Sequence, residues 1–123
     1  MYLADTSVWT DHIRNHDPAM AAALAGDTVF IHVCVVGELA VGNLRDRATF
    51  LKRLQAMNRV HHATDEEVLD MIEHHALSGT GISWVDAHLL ASALITPRVT
   101  LWTRDRRLNE AAARLGCAAQ VHH

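Results

Sequence analysis

Short apolar runs rich in branched and aromatic residues alternate along this chain with longer stretches of mixed polarity. Such runs, bounded by polar or turn-forming residues, are typical of strands buried on both faces of a parallel sheet. The pattern predicts strands at Met1–Ala4, Thr28–Ile31, Arg98–Trp102 and Ala118–Val121, with a weaker edge strand at Arg59–His61.

The stretches between these runs repeat apolar residues at helical spacing. Thr64 stands three residues before Glu67, the spacing of a capping box, and Ser83 opens a segment with Asp86 in its first turn. The predicted helices are Val8–His16, Ala19–Ala25, Val33–Leu44, Arg45–Met57, Thr64 to about Leu77, Ser83–Ile95 and Asn109–Leu115.

Strands that alternate with helices form βαβ units, in which a mostly parallel sheet is covered by helices on both faces. The chain has 123 residues and contains no repeat, low-complexity tract or linker. We therefore predict one α/β domain over residues 1–123, with a sheet of about five strands.

Composition narrows the class of protein. Half the residues are hydrophobic, and the net charge of −3 argues against a broad basic face for coating nucleic acid. Cys34 and Cys117 lack metal-like spacing and are expected to be reduced thiols. The chain enters a strand at once and no apolar run reaches the roughly 18 residues of a membrane span, so we expect a cytoplasmic protein without a membrane partner.

Four widely separated carboxylates, Asp5, Glu38, Asp86 and Asp105, lie where a predicted strand ends or a helix begins. Each one alone is explained about as well by helix capping or turn formation. Because the carboxyl ends of parallel strands share one edge of a sheet, where α/β folds bind ligands, the coincidence of all four predicts a common site.

Four carboxylates in one place require a cation. Oxygen ligands without His or Cys partners suit Mg²⁺ or Mn²⁺ better than zinc. Such an ion polarises a phosphoryl oxygen and acidifies water, so a phosphodiester is the natural substrate. Arg104, Arg106 and Arg107 surround one of the acids, and contact with a substrate phosphate is as well supported there as a solvated turn.

Four segments together resemble the PIN-domain family, and within it the VapC toxins of type II toxin–antitoxin pairs. Tyr2–Trp9 is similar to the family's opening strand, Asp, hydroxyl pair and aromatic, and Glu38–Gly42 to its Glu-Leu-x-x-Gly helix. Asp86–Ala93 is similar to its Asp-alanine helix, and Leu101–Asp105 to its Thr-x-Asp ending.

The resemblance implies a five-stranded parallel sheet and a Mg²⁺- or Mn²⁺-dependent endoribonuclease that dimerises and is inhibited by a cognate VapB-type antitoxin. It assigns the metal and the catalysis to the four acids. Thr103 matches a hydroxyl that supports the site, and Thr6 lies beside the first acid.

The chain departs from the family in two places. His32 stands where Ser or Thr is frequent, and Arg106–Leu108 follows the last acid where an aromatic is common. These departures concern the walls of the site and its RNA preference.

Two other classes of function stay open. One is a PIN-like module that binds RNA or protein without cleavage, although such modules usually lack one of the acids. The other is a different metal-dependent phosphate-ester hydrolase or a receiver domain, but a receiver needs a site lysine and Lys52 is the single lysine, on an amphipathic helix.

None of the ten histidines is assigned to catalysis, and the adjacent pairs His61–His62 and His74–His75 are interpreted as surface residues. His12 and His16 share a helix face, but the glutamate of a zinc-protease motif is absent between them. The terminal pair His122–His123 is open to interpretation as the stub of an expression tag.

Overall fold

The computed structural model describes residues 1–121, and the His122–His123 pair lies outside the described residues. Over that range the elements are β1 Tyr2–Ala4, α1 Thr6–Asn15, α2 Pro18–Ala25, β2 Val29–Phe30, α3 Val33–Ala40, α4 Arg47–Ala56, α5 Asp65–His74, α6 Trp84–Ile95, β3 Thr100–Trp102 and α7 Arg106–Arg114.

The sheet is parallel, in the order β2-β1-β3. Leu3 of β1 pairs with Phe30 on one side and with Leu101 on the other. Two parallel bridges, Ile31 to Arg59 and Leu101 to Ala118, extend the sheet beyond β2 and β3. The α/β class with a parallel sheet is confirmed, and the two outermost predicted strands are reduced to single bridges in the described chain.

Right-handed crossovers decide where the helices lie. The chain moves outward from β1 through β2 to Arg59, then crosses back to β3 and continues to Ala118. This path places α1 to α4 on one face and α5 to α7 on the other. The packing agrees, because α1 contacts α2 and α3, whereas α5 contacts α6 and both α6 and α7 contact β3.

The core lies between the sheet and these helices. Leu3, Val29 and Leu101 supply its central layer from the strands, and Val8 and Leu90 cover it from the two sides. These side chains are at most 2% exposed. No helix within residues 1–121 combines the length and the apolar character that crossing a membrane requires.

Helix boundaries differ from the sequence prediction by three residues or more at three places. Helix α5 ends at His74, three residues before the predicted end near Leu77. Helix α3 ends at Ala40, four residues earlier than predicted, with Val41 89% exposed beyond it. Helix α7 begins at Arg106, three residues earlier, because the Asp105 side chain accepts a hydrogen bond from the Leu108 N–H at 3.0 Å and caps the helix. A capping carboxylate therefore fixed a helix start that the apolar pattern alone did not reveal.

The capping box of α5 provides a test of this local reasoning. Thr64 Oγ1 accepts from the Glu67 N–H at 3.1 Å, and Glu67 Oε1 accepts from the Thr64 N–H at 3.0 Å. We expect Thr64→Ala to lower the free energy of unfolding by about 1 kcal/mol, measured by urea denaturation. Thr49→Ala, at an exposed position inside α4, is the control and should be neutral or slightly stabilising. An equal loss in both variants would contradict the capping role.

Candidate functional site

The parallel sheet brings the ends of β1 and β3 to one edge. Asp5 follows Ala4 and Thr103 follows Trp102, and the pairing continues through a hydrogen bond of 3.0 Å from the Asp5 N–H to the Trp102 carbonyl. This edge is where a ligand is expected in a fold of this class.

The Asp5 carboxylate is held on every side. Oδ1 accepts from the Ser7 hydroxyl at 2.5 Å and from the Val8 N–H at 3.2 Å, so Asp5 also caps α1. Oδ2 accepts from the Thr103 hydroxyl. The residue is only 5% exposed, which fixes both the position and the orientation of its carboxylate.

Burial makes the charge of Asp5 unfavourable. Desolvation raises the pKa of Asp5 above its usual 3.8, and the negative charge of Asp86 raises it further. Hydrogen bonds from Ser7, Thr103 and Val8 lower the pKa but do not cancel the effect of burial. An anion kept here at neutral pH would be stabilised by a cation.

Asp105 is linked to Asp5 through one hydroxyl. Thr103 Oγ1 donates to Asp5 and accepts from the Asp105 N–H at 3.0 Å. The exposed Asp105 side chain lines an open cleft of about 620 Å³ together with Gly81, Arg106, Arg107 and Glu110.

Asp86 occupies the third position of α6 and completes a capping box with Ser83. Its Oδ2 accepts from the Ser83 N–H at 3.2 Å, and its own N–H donates to the Ser83 hydroxyl at 3.1 Å. Its charge also acts on Asp5. Asp86 is therefore both a helix cap and a neighbour of the buried carboxylate.

Glu38 is placed less directly. It lies in the last turn of α3, not near the start of a helix as predicted, so the favourable dipole at a helix N-terminus does not act on it. Its side chain is exposed and lines a pocket of about 210 Å³ with Thr6, the residue after Asp5. Thus Asp5, Asp86 and Asp105 are connected through hydrogen bonds or charge, and Glu38 adjoins them across Thr6.

The two hydroxyls singled out from the sequence differ in what they contact. Thr103 bonds to both Asp5 and Asp105 as described. Thr6 Oγ1 is buried and has no hydrogen-bond partner within residues 1–121. Ser7, the second residue of the hydroxyl pair, was not assigned to the site from the sequence; it donates to Asp5 and accepts from the Arg104 N–H at 3.0 Å. The Asp-x-Ser spacing at a helix start is the signal that identifies it, since Asp there bonds to its near neighbours.

The three arginines have separate environments. The Arg104 guanidinium pairs with Asp11, at 2.6 Å, and with Asp17. Arg106 pairs with Glu110 at 3.0 Å along the exposed side of α7. Arg104 is thus partly neutralised by two carboxylates, and its contact with RNA stays a prediction in competition with those pairs.

Arg107 lies against the backbone of Gly81. Gly81 has φ of +87°, a conformation that favours glycine, and a Cβ there would come within 2.6 Å of Arg107 Nη1 and displace that side chain. Arg107 forms no ion pair with the residues that the structure describes, and it lines the same cleft as Asp105. It is the cation of that cleft most available for an anionic ligand.

Comparison with known proteins agrees with this geometry. The family model described as PIN domain matches residues 2–114. The chain belongs to the PIN-domain family. It is also similar to Ribonuclease VapC32 from two strains of Mycobacterium tuberculosis, with 38% identity over 118 residues that cover 96% of this chain and 95% of each relative. The resemblance to VapC-type PIN domains inferred from the motifs is thereby confirmed.

The raised pKa of Asp5 predicts how stability depends on pH when no metal is bound. The folded state holds the Asp5 proton to higher pH than the unfolded chain, so the contribution of Asp5 is fully present below about pH 3.8 and is lost as pH rises through the folded-state pKa. In chelator, we expect Asp5→Asn to gain melting temperature relative to the parent protein at pH 7–8, and the gain to shrink towards pH 4.

The control is Asp70→Asn, which changes an exposed carboxylate on α5. This variant should show no comparable pH-dependent gain. If Asp5→Asn were less stable than the parent by the same amount at pH 4 and pH 8, burial of an unfavourable charge would not describe Asp5.

Proposed function

We propose that this protein is a Mg²⁺- or Mn²⁺-dependent endoribonuclease and acts as the toxin of a VapBC toxin–antitoxin pair. The main support is the buried Asp5 carboxylate. The negative charge of Asp86 acts on it, and the Thr103 hydroxyl links it to the backbone N–H of Asp105. A similar protein carries the name ribonuclease, and its similarity extends over nearly the whole chain.

The residues present fit a hard divalent ion. Asp5, Glu38, Asp86 and Asp105 offer only oxygen donors, and burial makes the charge of Asp5 unfavourable unless a cation offsets it. We assign metal binding and catalysis to these four acids, with Thr103 and Thr6 as supporting residues. When bound, the ion neutralises phosphate charge and acidifies a water for attack on the phosphodiester.

Side chains and backbone groups of this protein position the Asp5 carboxylate and the substrate. Ser7, Val8 and Thr103 hold the Asp5 carboxylate rigidly, so little reorganisation is needed when a substrate phosphate arrives. We assign the RNA backbone to the cleft beside Asp105, where Arg107 and Arg106 offer guanidinium donors to phosphate oxygens. Arg104 is included in this assignment, although its guanidinium also pairs with Asp11 and Asp17.

Support for cleavage over simple binding comes from the complete set of acids. A module that only binds RNA or protein has no need of a buried carboxylate beside a second one, since that arrangement costs stability. A phosphatase acting on monoesters would use similar ions, and the assay below separates it by substrate.

The remaining parts of the proposal concern binding partners and cellular location. A cognate VapB-type antitoxin, a homodimer and a cytoplasmic location follow from the VapC-type resemblance and the sequence. We extend the domain assignment to residues 1–123, a little beyond the range that the family model matches.

The decisive experiment measures RNA cleavage by the purified protein with Mn²⁺ or Mg²⁺ and with chelator. We expect cleavage that chelator abolishes, and a loss of more than about a hundredfold in Asp5→Asn, because metal-assisted charge stabilisation is worth several kcal/mol. Asp70→Asn should cleave like the parent. Hydrolysis of a phosphomonoester but not of RNA, or RNA binding without metal-dependent cleavage, would reject the assignment.

A second prediction concerns Arg107. We expect Arg107→Ala to reduce cleavage by about tenfold or more, since a hydrogen bond to a charged group is worth about 1.5–3 kcal/mol. Arg107→Lys should recover only part of the activity because lysine lacks the planar fork. Arg106→Ala is the comparison at the neighbouring, ion-paired position and should lose less. An Arg107→Ala variant with unchanged cleavage over a range of RNA concentrations would exclude Arg107 from the RNA site.

A further inference from the structure

Three histidines from distant parts of the chain meet beside the sheet edge. His32 follows Ile31 and caps α3, His62 follows the bridge at Arg59, and His88 lies on α6. One ring nitrogen of each lies within 4.8 Å of a ring nitrogen of both others. His62 is exposed, as expected from the sequence, whereas His32 is 2% exposed and His88 is 6% exposed. The sequence assigned no ligand role to any of the three.

The buried ring nitrogens are the unusual feature. His32 Nε2 and His88 Nδ1 are inaccessible to water and have no hydrogen-bond partner within residues 1–121. A buried polar atom without a partner is costly, so native structures seldom leave one unexplained. Both atoms belong to rings of the same cluster, and a ligand held between the rings would give each of them a partner.

The second nitrogen of each buried ring is already occupied. His88 Nε2 lies 3.2 Å from Asp65 Oδ1, so the proton resides on Nε2 and the lone pair on Nδ1. A carboxylate behind a histidine in this way is the usual outer partner of a metal-bound imidazole. His32 Nδ1 accepts from the Cys34 N–H at 2.9 Å.

We propose that His32, His62 and His88 form a binding site for a borderline divalent transition ion of the Zn²⁺ class. Imidazole nitrogens suit Zn²⁺, Cu²⁺ and Ni²⁺, whereas Mg²⁺ prefers oxygen. Three histidine ligands leave one tetrahedral position open for water or an anionic oxygen. The site uses none of the four acids and does not depend on the proposed ribonuclease activity.

The geometry requires only a modest closure. Zn–N bonds of about 2.0–2.1 Å place tetrahedral ligand nitrogens about 3.3 Å apart, somewhat closer than the present limit of 4.8 Å. His62 is exposed and is the ring that can move. The His62 ring centroid lies 4.7 Å from that of His32 and 6.0 Å from that of His88.

The surrounding structure holds the cluster in place. The Ala63 N–H donates to the Ser92 hydroxyl at 3.1 Å, and the His61 N–H donates to the Thr96 hydroxyl at 2.8 Å. These bonds tie the segment that carries His62 to α6, the helix that carries His88. The Trp84 ring packs edge-on against His88 at 4.6 Å between centroids, which limits rotation of that imidazole.

The neutral charge of His32 favours metal binding, but its ring proton has to move for Nε2 to become a ligand. Burial, together with His62 and His88, lowers the pKa of His32 to about 4, so the ring is neutral at pH 7. Its proton resides on Nε2 while Nδ1 accepts from Cys34. Coordination through Nε2 moves that proton to Nδ1 and gives up the capping bond to Cys34, without net proton release from this ring.

The test is a calorimetric titration of the full chain with Zn²⁺ in the presence of excess Mg²⁺, which occupies oxygen-only sites. We expect His62→Ala to weaken Zn²⁺ binding by well over tenfold, since loss even of an outer partner of a metal-bound histidine costs 10- to 100-fold. His61→Ala, the exposed neighbour outside the cluster, is the matched control and should bind like the parent. Other histidines, including His12, His16 and the terminal pair, are common to all variants and contribute an unchanged background.

A second readout uses Co²⁺ in place of Zn²⁺. A site of three nitrogens and one oxygen should give visible ligand-field bands, and these should disappear in His62→Ala and persist in His61→Ala. Asp5→Asn should retain both Zn²⁺ binding and the Co²⁺ spectrum, which separates this site from the proposed nuclease centre. Equal Zn²⁺ affinity in His62→Ala and His61→Ala, or a parent protein that binds no Zn²⁺ beyond the unchanged background, would overturn the proposal.

Discussion

The buried carboxylate of Asp5 is the constraint on which the arrangement of the site depends. It ends β1, caps α1 and receives the Thr103 hydroxyl from the end of β3, so it joins two strands and a helix. Burial disfavours the charged form of Asp5. The hydrogen bonds that partly offset this effect are the same ones that fix the position of its carboxylate. A group of this kind is retained at a cost to stability, which is common where function requires a perturbed carboxylate.

Capping and function are not alternatives in this protein. Asp5 and Asp105 cap α1 and α7, and Asp86 completes the capping box of α6. A parallel sheet sends the following helices back from the same edge, so carboxylates that cap those helices gather there. Glu38 caps no helix within residues 1–121. It adjoins the other acids by lining a pocket together with Thr6, and not through a hydrogen bond or an electrostatic effect.

The arginines around Asp105 differ in role: some are held in ion pairs, and one is available to bind a ligand. Arg104 is held by Asp11 and Asp17, which ties the turn after β3 to α1 and to the start of α2. Arg107 rests on Gly81 and faces the cleft beside Asp105. Three arginines within four positions of the sequence thus have different roles, and only their side-chain partners distinguish them. The histidines divide similarly, since His62 belongs to a cluster and His61 does not.

The sequence by itself determined the alternation of strands and helices, the α/β class, the caps at Thr64 and Ser83, and the positions of Asp5, Asp86 and Asp105 at strand ends or helix starts. These features depend on local chemistry and on the parallel topology, both of which are written in periodicity and in short motifs. The tertiary structure alone decided that Thr103 bonds to Asp5, that Glu38 lies in the last turn of its helix, and that His32, His62 and His88 meet. Those contacts join residues that are distant in sequence or depend on where a helix ends, and no local pattern encodes the distance between side chains that only folding brings together.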